Sequence, residues 1–305
     1  VAGDPSTTTA NIETFNVWGF MDEPSGKVFV EEEVNKNGGE WSYVNTQYWA
    51  PGHKYYFAAL ANYDNAVVNT ANANLYGLGN IKFTVTDGSD DLLYSAVGPI
   101  AAPEATETSA EKVTFAFNHM LSKVKFTFTN GFANDNAYID VKEITMTAPK
   151  SGKINVAQDW WSTNQWVLTG AETTTLAFGD ACAKTQAGGT QESDYERLTI
   201  PAGDTQEYVI TFKVQLYFGD VAAFAEVQTL ESVVKGVALE MGKAYNFTAV
   251  INNETLALPA IEFTATVKDW DEGGNGNAAN GTAIHNLDEL KAALAAGGSY
   301  ALVND

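Results

Sequence analysis

Alternation with a period of two runs along most of this chain. In "KVKFTFTNG", Val124, Phe126 and Phe128 point one way, while Lys123, Lys125, Thr127 and Thr129 point the other. "EYVITFKVQLYF" sets Tyr208, Ile210, Phe212, Val214, Leu216 and Phe218 on one face, and "IEFTATVKDW" does the same with Ile261, Phe263, Ala265 and Val267. A strand with one apolar face must bury it against a second layer, so many such strands predict an all-β chain built of sandwiches. The outward threonines suit a pleated surface. Turn signals separate the runs: "PSG" at 24–26, "NGG" at 37–39, "DGSDD" at 87–91, "NGF" at 130–132 and "PAGD" at 201–204.

Two stretches break the pattern. "GPIAAPEATETSAEK" (98–112) has no periodicity and reads as an interdomain linker, and "DEGGNGNAANGT" (271–282) is a Gly/Asn tract that reads as flexible. These breaks predict a β-sandwich over 1–108, a second over 109–272, and a tail over 273–305. Within the tail, "HNLDELKAALAAGG" predicts a helix. Asn286 caps it, Glu289 completes a capping box, Leu287, Leu290 and Leu294 share a face, and Gly297 stops it. "SYALV" then predicts a short terminal strand.

Composition narrows the function classes. The 305 residues carry 38 acidic against 17 basic side chains, a net charge of −21, which opposes binding to nucleic acid or to anionic lipid surfaces. Cys182 is the only cysteine, so neither an intrachain disulfide nor a thiolate metal cluster can form, and it is expected to be a small core residue. No apolar run is long enough to cross a bilayer as a helix. The opening "VAGDPSTTTANIE" has neither an initiator Met nor a signal peptide and reads as a processed product.

Catalytic sets do not assemble from the sequence. His53, His119 and His285 lie in separate segments without zinc-ligand spacing, and His119 in "FNHMLSK" reads as a hydrogen-bonded structural residue. Neither G-x-S-x-G nor a Cys–His arrangement is present. "DWDEGGNGNAANG" imitates a calcium loop through Asp269, Asp271 and Gly274, but Asn280 replaces the closing Glu; it and "DGSDD" read as solvated turns. No catalytic residue, metal or cofactor is therefore expected. Of the tryptophans (Trp18, Trp41, Trp49, Trp160, Trp161, Trp166 and Trp270), the "DWW" pair Trp160–Trp161 is the candidate for exposed glycan contact. "YWAPGHKYYFAAL" (48–60) raises the question of a pocket around His53; lacking polar partners, it reads instead as the aromatic wall of a sandwich.

The order of the pieces resembles the fimbrillin family of Bacteroidales, the subunits of type V pili. "FNVWGF" is followed by "WSYVNTQYWAPGHKYYFAALA", similar to a W-x-Y…Y-W-P-x-G…F-x-A-Y signature through Trp41, Tyr48, Trp49 and Pro51. Then come "DLLYSA" and "VTFAFNHMLSKVKFTFTNGF", similar to F-x-H-x-L-S-K-V through His119, Leu121 and Lys123. "LTIPAG", "LEMGKAYNFTAVI" and "IEFTATVKDW", ending at Trp270, complete the match over roughly 12–270. Ala50 is a departure, because the family pattern runs straight from Trp to Pro.

The resemblance implies two tandem transthyretin-like β-sandwiches without a catalytic site. It also implies export as a lipoprotein precursor, anchored to the membrane only through a lipid absent from this chain, then trimming by an arginine-specific protease. Residence in a fimbrium at the outer membrane would follow, with copies of itself or related pilus subunits as partners, joined by strand exchange. The donor candidate is the terminal strand, Tyr300, Ala301, Leu302 and Val303, within a docking segment starting near residue 282. Two other readings stand beside it. "LDELKAALAAGGSYALVND" resembles the opening cap of a parallel β-helix, which would make the chain the N-terminal part of a larger protein. A surface lipoprotein adhesin, binding glycans or proteins of host or bacterial surfaces, is the other.

Overall fold

A computed structural model describes residues 12–23, 26–38, 40–62, 66–68, 73–74, 77–103, 112–157, 165–203, 205–224, 226–257, 261–270, 282–284 and 300–302. The strands before residue 108 are β1 (Thr14–Met21), β2 (Lys27–Asn37), β3 (Glu40–Tyr43), β4 (Lys54–Ala61), β5 (Ala66–Val67), β6 (Ala73–Asn74), β7 (Gly77–Thr84) and β8 (Leu93–Ala101). Beyond it come β9 (Asn118–His119), β10 (Ser122–Asn130), β11 (Ala137–Pro149), β12 (Ser151–Ala157), β13 (Val167–Leu168), β14 (Thr173–Gly179), β15 (Cys182–Gln186) and β16 (Thr190–Glu192). The series continues with β17 (Arg197–Thr199), β18 (Tyr208–Phe218), β19 (Val221–Ala222), β20 (Gln228–Val234), β21 (Lys243–Ile251), β22 (Thr264–Asp269), β23 (Thr282–Ile284) and β24 (Tyr300–Leu302).

Residues 12–270 form one compact unit of four sheets. The first is ordered β3-β2-β1-β4-β8-β9 and antiparallel throughout. Its central strands are apolar on both faces, which explains the unbroken run "YYFAALA". Trp18, Phe20, Ala58 and Leu60 enter the main core, while Phe15, Val17, Tyr55, Phe57 and Ala59 enter a smaller core on the opposite face. In the main core they share a cluster with Leu78, Ile81 and Phe83 of the second sheet, ordered β13-β12-β7-β5 with β6 also on β7.

The remaining two sheets enclose the other half of the main core. In one, ordered β16-β10-β21-β22, β10 runs parallel to β21 from Lys123↔Ala244 to Asn130↔Ile251. In the other, β11 lies between β14 and β18, and β20 pairs with β18. Val124, Phe126 and Phe128 are fully buried, as the alternation predicts, and cross the layers through edge contacts such as Phe126–Phe178 at 4.7 Å. Each such ring is worth about 1.5–3 kcal/mol relative to exposure. Two predicted inward positions turn out otherwise: Phe218, at the end of β18, is exposed, and so is Val267 on the edge strand β22.

The predicted linker is partly strand. Residues 98–101 belong to β8, which pairs with β4 up to Lys54↔Ala101. Pro99 and Ala101 lie on its exposed side, so no apolar alternation marked the strand. The boundary at 108 falls outside the described residues, and hydrogen bonding passes across its position in the chain. β11 sits in the fourth sheet, but after Pro149 and Lys150 the chain passes into β12, which pairs with β7 from Ser151↔Thr84 to Ala157↔Gly77. Val85 N donates to Lys150 O (2.8 Å) and locks this corner.

The helix expected within 285–298 lies outside the described residues. Among the described residues the helix observed is one turn, Asn253–Leu256, capped reciprocally by Asn252 and Thr255. β23 and β24 belong to a separate unit and pair with each other in parallel.

Candidate functional site

Antiparallel pairing of β9 with β8 (Leu93↔His119) sets His119 beside Asp91, which just precedes β8. Its Nδ1 lies 2.7 Å from the Asp91 carboxylate, and the two side chains are 5% and 0% exposed. The Trp270 indole stacks parallel to the imidazole, with centroids 3.6 Å apart and planes 5° apart. Trp270 N donates to Gly242 O at 2.9 Å, fixing the end of β22. Lys123 Nζ stands 4.7 Å from the indole centroid and 3.0 Å from the Glu196 carboxylate. Leu121 is fully buried in the main core, and Trp166 Nε1 donates to the neighbouring Met120 O at 2.8 Å. The expected structural residues His119 and Lys123, from one segment, are thus brought together with Trp270 from the far end of the unit and with Asp91 from a third segment.

Chemically, this is a clamp. An acid–base pair needs a substrate within hydrogen-bond reach, and burial to this degree denies it. A carboxylate held this far from water depends on its hydrogen-bond partner, so the pair stabilises while both members remain.

The second group lies at the first sheet's β3 edge. Trp41 and Tyr43 alternate onto one side of β3 and are half-exposed, touching Phe15 (5.0 Å) and Phe29 (5.3 Å) through T-shaped contacts. Trp49 packs on Tyr55 at 4.6 Å, and Ala50 N donates to the Tyr55 hydroxyl at 2.7 Å. Pro51 and Gly52 make the turn; Gly52 has φ +85°, in the left-handed region, and His53 N donates to Ala50 O. His53 Nδ1 is 2.9 Å from Asp22 and its Nε2 is 3.5 Å from Glu23. Tyr48 projects outward, 86% exposed. The stretch 48–60 is therefore mostly wall, with one outward tyrosine; contrary to expectation His53 has polar partners, two carboxylates supplied just after the end of β1. Val113, Phe115 and Phe117 pack over the same small core from an extended segment.

One carboxylate the sequence did not single out organises this edge. Glu32 accepts from Val44 N (3.1 Å), Asn45 N (2.8 Å) and Asn45 Nδ2 (2.6 Å). Burial pushes its carboxyl up, and these hydrogen bonds more than reverse that, leaving it below the ordinary value.

The other candidates divide between described and undescribed residues. Tyr300, Ala301 and Leu302 form β24, in register with Thr282, Ala283 and Ile284, while Val303 lies outside the described residues. Trp160 and Trp161 also lie outside them. "DGSDD" is not simply a solvated turn, since Asp91 is buried and Asp87 accepts from Ser89 N (3.0 Å) and Oγ (2.5 Å). Among the described residues, no three His, Cys, Asp or Glu side chains are grouped to hold a metal ion.

Solved structures share the fold. A fimbrial protein from Bacteroides vulgatus superposes with a TM-score of 0.54 at 14% identity, over 84% of this chain and 93% of that one. A candidate cell adhesion protein from Bacteroides ovatus gives 0.51 at 16% identity, over 89% and 91%. Another, from Parabacteroides distasonis, gives 0.52 at 9% identity, over 89% and 97%. No protein of curated function matches the chain. The fimbrillin-like family matches residues 3–270, the whole described unit with its clamp and its aromatic edge, and the chain belongs to that family.

Proposed function

We propose that the chain is a structural subunit of a cell-surface pilus, contributing to adhesion and performing no catalysis. Family membership over residues 3–270 carries this reading. The finer mechanism is strand exchange after proteolytic trimming of an exported lipoprotein precursor. The segment from residue 282 onward, with Tyr300, Ala301, Leu302 and Val303, is the donor, and other copies or related pilus subunits are the acceptors. The division into sandwiches over 1–108 and 109–272 belongs to the same proposal, with β12 and β13 lent to the first. Deleting 282–305 should leave a folded monomer that forms no fibres by electron microscopy after protease treatment. Fibres of normal length from the truncated chain would refute donor exchange.

A second reading is favoured by the parallel pairing of β23 with β24. A parallel pair joined by a crossover is the repeating contact of a parallel β-helix, so the tail is alternatively the opening of a further domain in a larger surface adhesin.

A further inference from the structure

One surface stretch differs from the rest of this acidic chain. From Trp41 to Ala50, "WSYVNTQYWA", there is no Asp, Glu, Lys or Arg, although such residues make up 18% of the whole. Every residue from 41 to 48 is exposed, including Val44 at 89% and Tyr48 at 86%. Apolar side chains this concentrated on a surface mark a binding site more often than chance.

The stretch is also held still. The three hydrogen bonds to Glu32 pin Val44 and Asn45, and Tyr55 pins Ala50. Rings on a fixed backbone bind with little further ordering cost.

We propose that this edge is a binding platform for neutral glycans, with Trp41, Tyr43 and Tyr48 as stacking faces and Asn45, Thr46 and Gln47 as hydroxyl partners. A pyranose offers apolar C–H faces and hydroxyl edges, matching aromatic rings interleaved with amides and hydroxyls. Charge selects within that class. The stretch carries no charged residue of its own; the cation beside it, Lys36 Nζ, 5.7 Å from the Trp41 centroid, stands 4.0 Å from the Glu13 carboxylate, and a chain of net charge −21 repels a sialic acid carboxylate or a sulfate.

The test uses the full chain on an array of neutral, sialylated and sulfated oligosaccharides, with circular dichroism to confirm that each variant folds. The unaltered chain binds neutral members. Tyr48→Ala and Trp41→Ala each weaken that binding about tenfold, Tyr48→Phe keeps most of it, and assembly into fibres is unchanged by Tyr48→Ala. The proposal is overturned by a blank array, by preference for the anionic members, or by binding that survives both alanine changes. Loss on changing Trp160 and Trp161 instead would place the site elsewhere and overturn it too. So would a blank array together with self-association, seen by ultracentrifugation, that Tyr48→Ala abolishes, since that surface would be a protein interface.

Discussion

Two histidine–aspartate pairs in this chain have nearly the same geometry in very different surroundings. His53 meets Asp22 at 2.9 Å with both side chains about a third exposed, and His119 meets Asp91 at 2.7 Å with both buried. His53 stands beside the Pro51–Gly52 turn, where water competes for each of its contacts. His119 lies under the face of Trp270, in a place where solvent cannot substitute for the carboxylate. Distance alone therefore does not rank the two; desolvation does. The exposed pair orients a turn, and the buried pair joins β9, the end of β22 and the approach to β8.

The sharpest way to break that contrast is to remove one buried partner. His119→Ala strips the imidazole from the Asp91 carboxylate and exposes a face of Trp270, and it should cost about 3–5 kcal/mol. Asp91→Ala should cost a similar amount. Urea unfolding of both single variants and the double variant should show coupling of about 1–3 kcal/mol. Additive losses would mean that the two side chains act independently, and the clamp would be no clamp.

A smaller loss is expected from Trp270→Ala, about 3 kcal/mol at the lower end for a buried aromatic, because the ring lies at a strand end. Trp270→Phe retains a stacking face and should recover most of it. If the phenylalanine variant is no better than alanine, a ring face at this position adds nothing by itself, and the parallel stacking on His119 is incidental.

The sequence named the histidine and the tryptophan of the clamp and left out its carboxylate. The F-x-H-x-L-S-K resemblance singled out His119, Leu121 and Lys123, and alternation placed Val124, Phe126 and Phe128 inward. Asp91 was hidden inside "DGSDD", where five turn-forming residues read as a solvated loop; only the pairing of β8 with β9 brings it to His119. β8 itself escaped notice towards its end because Pro99 and Ala101 lie outward and leave no apolar period. The passage of β12 to β7 was illegible for another reason: "GKINV" alternates just as it would in any sheet, and period cannot say which neighbour a strand pairs with. At the aromatic edge, Trp49 packs on Tyr55. Glu32 could not have been chosen among 38 acidic residues without knowing where the chain turns back at residues 44–45.

The smallest effect belongs to the exposed pair, and it has a direction in pH. The hydrogen bond from His53 is the main influence holding the Asp22 carboxyl below its ordinary value. A depressed carboxylate contributes stability that is fully present above the unfolded-state value, about 4, and is lost as the pH falls through the folded value. Asp22→Asn should therefore leave the neutral unfolding midpoint almost unmoved, and whatever small difference exists should fade as the pH drops below about 4. Solvent screening at the turn sets this upper limit on the effect. A neutral-pH shift as large as that of Asp91→Ala would mean that burial is not what separates the two pairs, and the ranking drawn between them would have to be reversed.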